Sequence, residues 1–251
     1  MKAIVDGDIV VYRCAFSCEK KIDGEVILID PVERAIQRMD FLINEMLAMT
    51  DSTEYILYLS GKNNFRYEIF SEYKANRKDR AKPVYLEQCR QHLIDEYGAI
   101  VENGHEADDS IGIAATACNS IDDYVICSID KDLLQIPGKH FNFVKKELQF
   151  VSPLEASKNF YKQLVLGDVA DNIPGYDGKE RQKVPKFLEE IMQLIDNCGS
   201  EIEMYEAIKG LDGVEMETLD RNACLLHILR ETEKMWEPPV LEELDPVHAA
   251  V

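Results

Sequence analysis

The chain has 251 residues, 46% of them apolar and 30% charged, and a formal net charge of −19. That length buries a sizeable core without help from disulfides or a structural metal, and the composition excludes wholesale disorder and fibrous repeats. No apolar run is long enough to cross a bilayer, and Asp6 and Asp8 interrupt the start before a signal-peptide core could form, so a cytosolic protein is expected.

In chain order, KAIV at residues 2–5 predicts a short buried strand, with Asp8 as N-cap of the following helix. A second strand is expected near Glu25 to Ile29. Pro31 opens a long amphipathic helix through VERAIQRMDFLINEMLAM, and EYILYLS reads as the next strand. The stretch from Gly61 to Pro83 has no clean period and is too long for an ordinary connection, which predicts a functional excursion. A helix from Pro83 to about Tyr97 stops at Gly98. AIVEN then reads as a strand, EADDSIGIAATACN as a helix, YVICSI as a strand, DKDLLQI as a helical turn and FNFVKKELQFV as a small hairpin. Beyond Ser152 the pattern is all-helical, and the end is Pro-containing and acidic. Alternating strands and helices predict an α/β fold with a mostly parallel sheet covered on both faces.

The seven cysteines show no CxxC pair and no zinc-type spacing, so they are read as core residues in a reducing compartment. The overall acidity repels nucleic acid, but binding is local. Between Lys62 and Arg90 eight basic residues face four acidic ones, a segment of +4 in a chain whose remainder carries −23. Phe65, Tyr67, Phe70 and Tyr73 are interleaved with these charges, a pattern suited to a single nucleic-acid strand.

The acids fall at informative places. Asp6 ends the first strand and Asp130 follows YVICSI, and in an open parallel sheet such strand ends meet at the ligand crevice. Asp132 comes next, Glu106, Asp108 and Asp109 cluster at a helix start, and Asp168 and Asp171 are three apart. Any one cluster is explained by helix capping alone. Together, so many like charges at one crevice demand a cation, and oxygen-only donors suit two Mg²⁺ or Mn²⁺ ions about 4 Å apart, acting on a phosphodiester.

The motifs VDGDIVVYR, SEYKANRKDRAKP, HEADDSIG, CSIDKDLLQI and LVLGDVADNIPG, in this order, resemble the flap endonuclease family of 5′-nucleases, which includes bacteriophage 5′-exonucleases and the 5′-nuclease domain of bacterial DNA polymerase I. The resemblance implies a PIN-like nuclease core over residues 1–165 with a basic arch or clamp at about 61–90. It further implies a helical DNA-binding region over 166–235 with a helix-turn-helix-type element that grips duplex DNA; an acidic tail follows at 236–251. Implied metal ligands are Asp6, Glu106, Asp108, Asp109, Asp130, Asp132, Asp168 and Asp171, with Asp6, Lys74 and Arg77 catalytic. Tyr12 is implied to stack on a base. Arg13, Tyr73, Lys74 and Arg77 are implied to hold the strand, and Gly175, Gly178, Lys179, Arg181 and Lys183 to hold the duplex. The expected substrate is DNA with 5′ ends or flaps, an RNA–DNA hybrid being a further candidate. The expected protein is a monomer in the cytoplasm of a bacterial or phage-infected cell, with no membrane partner.

Two positions depart from the family pattern. Ser60 and Gly61 stand where an Asp is usual at the end of EYILYLS, with Asp8 as a candidate substitute. Glu180 replaces a glycine of the duplex-gripping loop, which puts K⁺ binding in question. DGDIV and YLSG also fit a haloacid dehalogenase-type phosphatase with Asp6 as nucleophile, and a DNA-binding relative without catalysis is a third reading.

Overall fold

The computed structural model describes residues 1–77, 80–179 and 186–240. In chain order the regular elements begin with β1 (Lys2–Asp6), α1 (Gly7–Phe16), β2 (Glu19–Ile22), β3 (Glu25–Leu28), α2 (Val32–Met49) and β4 (Glu54–Ser60). Next come α3 (Arg66–Ile69), α4 (Leu86–Tyr97), β5 (Ile100–Glu102), α5 (Ala107–Thr116), β6 (Tyr124–Cys127), β7 (Gly138–Asn142) and β8 (Glu147–Val151). Helices α6 (Pro153–Leu166), α7 (Lys186–Asn197), α8 (Glu201–Lys209) and α9 (Met216–Leu226) complete the series.

Six strands form one sheet in the order β5-β4-β1-β6-β7-β8, with only the β7–β8 pair antiparallel. The apolar runs at β1 and β6 occupy its centre, as strands buried on both faces require. Because β4 and β6 flank β1 on opposite sides, the connections diverge there, and a crevice opens beyond the carboxyl ends of these three strands. One core lies between the sheet and α1, α2 and α4, and a smaller one between the sheet and α5.

A further core belongs to the helical region. Leu164, Val165, Ile195, Met204, Ile208 and Leu219 fill it, together with Tyr73 from the basic excursion. Trp236, expected in the tail, packs against Tyr205 and Phe160 at centroid distances of 5.6 and 6.2 Å. Residues 241–251 of that tail lie outside the described residues, as does the loop position Glu180.

The strand expected near Glu25 is present and pairs with β2 in a hairpin separate from the main sheet. Asp23 and Gly24 turn that hairpin at φ 52° and 89°, the positive angles that an Asp-Gly tight turn favours. Asp8 is not the N-cap of α1: Asp6 is, accepting from the Ile9 amide at 3.1 Å. The helix expected from Pro83 begins at Leu86 and ends as foreseen at Gly98, which sits in the left-handed region at φ 64°.

After α9 the chain returns towards the sheet through His227. The His227 ring stands edge-on to Phe160, and its Nδ1 lacks a hydrogen-bond partner among the described residues. Burial, then the nearby Arg230 charge, pushes its pKa down to about 3. The unfolded chain therefore binds more protons here below the ordinary histidine value. Stability from this residue is complete above about pH 6.5 and declines as pH falls, by at most about 1.4 kcal/mol per unit. Melting curves at pH 7 and pH 5 should show a smaller acid loss in His227→Gln than in the unaltered protein; equal losses would refute the assignment.

Candidate active site

Each acid is placed by the element that ends or begins beside it. Gly7 lets α1 start directly from Asp6, since a Cβ there would stand 2.6 Å from the Tyr58 carbonyl oxygen. Asp6 is almost fully buried; its second oxygen accepts from the Ser128 hydroxyl at 2.8 Å. Ser128 in turn accepts from the Asp130 amide at 3.0 Å, and Asp130 from the Asp132 amide at 2.9 Å, so the turn after β6 aligns these residues. Desolvation, augmented by the charges of Asp8 and Asp130, raises Asp6 to about 7. Burial, then Asp6 and Asp130, raises Asp108 well above the usual carboxylate range.

Asp6, Asp8, Glu106, Asp108 and Asp130 line a cleft of about 710 Å³ together with Tyr12, Lys74, Arg77 and Arg90. Glu106 and Asp108 also border a smaller adjoining recess with Asp132, Asp168 and Asp171. Burial, followed by Asp130 and Asp168, raises Asp132 to about 7. Seven of the eight expected acids thus line either the cleft or the recess that shares Glu106 and Asp108 with it.

The eighth, Asp109, is a correction. It is fully buried and faces away from the cleft into a bidentate pair with Arg66, at 2.6 and 2.9 Å. It also accepts from the amides of Leu229 and Glu106 at 3.0 and 3.1 Å, which closes a capping box at the start of α5. Both oxygens are occupied, and its pKa is lowered by Arg66 and these amides against the effect of burial. Arg66 also donates to the Leu225 and His227 carbonyls at 2.7 and 2.9 Å, so one guanidinium ties α3, α5 and the end of α9 together.

The basic excursion reaches the same crevice. Lys74 pairs with Glu106 and lies 3.5 Å from Asp171, while Arg77 pairs with Asp171 and donates to the Ala170 carbonyl at 2.8 Å. Tyr73, expected to meet DNA, is instead 2% exposed, and its hydroxyl lies 3.2 Å from Glu106 and 3.1 Å from Asp171. Arg13 is exposed but faces a different groove, beside Arg34, Arg38 and Phe143. Gly175 and Gly178 form a tight loop in which the Gly175 amide donates to the Lys179 carbonyl at 3.0 Å. Arg181 and Lys183 lie outside the described residues.

Ser60 occupies the end of β4, and its hydroxyl accepts from the Ala107 amide at 3.0 Å. Asp8 accepts from the Ser60 amide at 2.9 Å and pairs with Arg90 at 2.7 Å. Sequence reasoning missed Arg66, Ser128 and Arg90 as parts of this site. For Ser128, its position two residues before Asp130 was the available signal.

A mostly parallel sheet with buried carboxylates at its carboxyl edge and a cationic excursion beside them defines a resolvase-like nuclease core. The chain belongs to the 5′–3′ exonuclease family of 5′-nucleases: the model for the family's N-terminal resolvase-like domain matches residues 2–163. It is 30% identical to DNA polymerase I of Bacillus caldotenax over 206 residues, covering 74% of this chain and 23% of the polymerase. It is 29% identical to a 5′-3′ exonuclease of Buchnera aphidicola subsp. Schizaphis graminum over 220 residues, covering 82% of this chain and 75% of that protein. The chain therefore spans under a quarter of the polymerase but most of the exonuclease. A bacteriophage T5 protein co-crystallised with metal ions shares the fold at a TM-score of 0.64 and 19% identity, over 90% of this chain and 88% of that one. The T5 flap endonuclease, solved as a pseudo-enzyme–product complex with DNA and metal ions, matches at 0.63 and 19%, over the same shares. Among the described residues no helix is long and apolar enough to cross a membrane.

Proposed function

We propose that this chain hydrolyses phosphodiesters near DNA 5′ ends, as an exonuclease, a flap endonuclease or both, and leaves 5′-phosphate products. The observation that carries the reading is the convergence of Asp6, Asp108 and Asp130 beyond three adjacent strands, with Lys74 and Arg77 on the same crevice. The T5 relatives' metal ions and DNA support it.

The donor set fits Mg²⁺ or Mn²⁺. It is all oxygen, and burial, followed by neighbouring carboxylates, raises Asp6, Asp108 and Asp132, a cost that a bound cation would offset. Among the described residues no three of the acids lie close enough to chelate an ion in this arrangement. Lys74 and Arg77 already pair with Glu106 and Asp171 there. Asp6, Glu106, Asp108, Asp130, Asp132, Asp168 and Asp171 are the residues that would hold two ions. When bound there, divalent ions supply charge neutralisation at the scissile phosphate and make water acidic enough to attack. The protein's own contribution is to fix Asp6 through Ile9 and Ser128, to orient Asp130 through Ser128, and to present Lys74 and Arg77 to the strand. Tyr12, on the cleft wall, is available to stack on a base.

We read the helical region as the duplex-binding part, with its helix-turn-helix-type element around Gly175 and Gly178. A phosphatase is disfavoured because Asp8, its required acid, is engaged by Arg90 and the Ser60 amide.

Parallel assays on 5′-labelled flap DNA and on a small aryl phosphate test the class of reaction. Release of short 5′ products with the aryl ester untouched is expected; hydrolysis of the ester alone would transfer the chain to phosphatase chemistry. Lys74→Ala is expected to weaken flap binding and to slow cleavage, read as a raised KM with a lowered kcat. An unchanged KM would remove Lys74 from strand binding.

A further inference from the structure

Arg90 lies on α4, at the far end of the basic segment, and its side chain is 19% exposed on the cleft wall. Its guanidinium is held in place rather than free to swing: Nη1 donates to Asp8 at 2.7 Å and Nη2 to the Ser60 carbonyl at 2.8 Å. A guanidinium has five N–H donors, so these two bonds leave others for a ligand. Asp8 and the Ser60 carbonyl fix it on the β4 side of Asp6, whereas Lys74 and Arg77 are pinned to Glu106 and Asp171. The Tyr12 ring lines the same cleft as Arg90 and Arg77. Glu87, one turn earlier on α4, lines the same wall and is the acid a ligand would meet there.

We propose that Arg90 is a phosphate-binding residue of the cleft, preset by Asp8 and Ser60 to take a backbone phosphate of the DNA strand from a side that Lys74 and Arg77 do not reach. The inference rests on the nuclease reading and deepens it. Arg suits this role better than Lys because its planar fork can keep two protein acceptors and still offer donors to a phosphate.

The test is binding of labelled 5′-flap DNA in EDTA, followed by fluorescence anisotropy across a salt series. Arg90→Gln is expected to weaken affinity roughly tenfold and to lower the slope of log K against log salt by about 0.9, the share of one phosphate contact. Lys139→Gln, the same loss of charge beside Asp122 at the opposite, amino-terminal edge of the sheet, should leave the slope unchanged. In turnover assays Arg90→Gln should raise KM and spare kcat.

The double variant Arg90→Gln with Asp8→Asn separates two explanations. The proposal expects it to bind as weakly as Arg90→Gln. Recovery of unaltered affinity would overturn the proposal, because Arg90 would then serve only to mask the Asp8 charge. A wild-type slope in Arg90→Gln would overturn it as well, with flap cleavage by the unaltered protein showing that the nuclease reading survives. Failure of the unaltered protein to bind or cut flap DNA would remove both.

Discussion

Asp130→Asn is expected to slow cleavage of flap DNA by at least about 100-fold, a loss larger than that for groups that merely orient a metal ligand, while flap binding changes little. The substitution keeps the shape and the acceptor that holds the Asp132 amide at 2.9 Å, so the turn after β6 survives. What goes is one negative charge facing Asp6 and Asp108, which the two proposed ions require. The same loss relieves repulsion that raises both neighbours, so Asp130→Asn should melt at a higher temperature in EDTA than the unaltered protein. A fast, cleaving Asp130→Asn protein would show that the acids are an electrostatic accident of the fold.

Arg66→Ala is expected to destabilise the fold by about 3–5 kcal/mol, because it strands Asp109 as an unpaired buried charge. Arg66 and Asp109 are 3% and 0% exposed, so solvent cannot replace the lost partner. Against a total stability of about 5–15 kcal/mol, that loss should be obvious in a urea melt. Replacing both members, Arg66→Met with Asp109→Asn, should recover part of it, since the desolvation cost of both charges disappears together while the Leu225 and His227 carbonyls lose their donor. If Arg66→Ala melted like the unaltered protein, the pair could not be what joins α3, α5 and the end of α9.

The strands, the sheet class and the acids at strand ends were legible because their signals are local: apolar runs, an Asp after KAIV and after YVICSI, a basic excursion between. Rotation of α5 was not. Glu106, Asp108 and Asp109 are nearly contiguous, and only the partner Arg66, 43 residues away, turns Asp109 inward. The carbonyls that complete the Arg66 knot, at Leu225 and His227, lie about 160 positions further along the chain. Tyr73 was misplaced for a related reason: the helical core that buries it forms mainly from residues beyond Phe160. The β2–β3 hairpin, by contrast, carries its own local signal in the Asp23-Gly24 turn.

The most direct test of the account is single-turnover cleavage of a 5′-labelled flap across a Mg²⁺ titration, for the unaltered protein and for Asp108→Asn. No cleavage in EDTA, a saturating rise with Mg²⁺, and a shift of that rise to higher Mg²⁺ in the variant are the predicted results. Cleavage in EDTA, or the same metal dependence in both proteins, would contradict a metal-dependent centre built on these carboxylates.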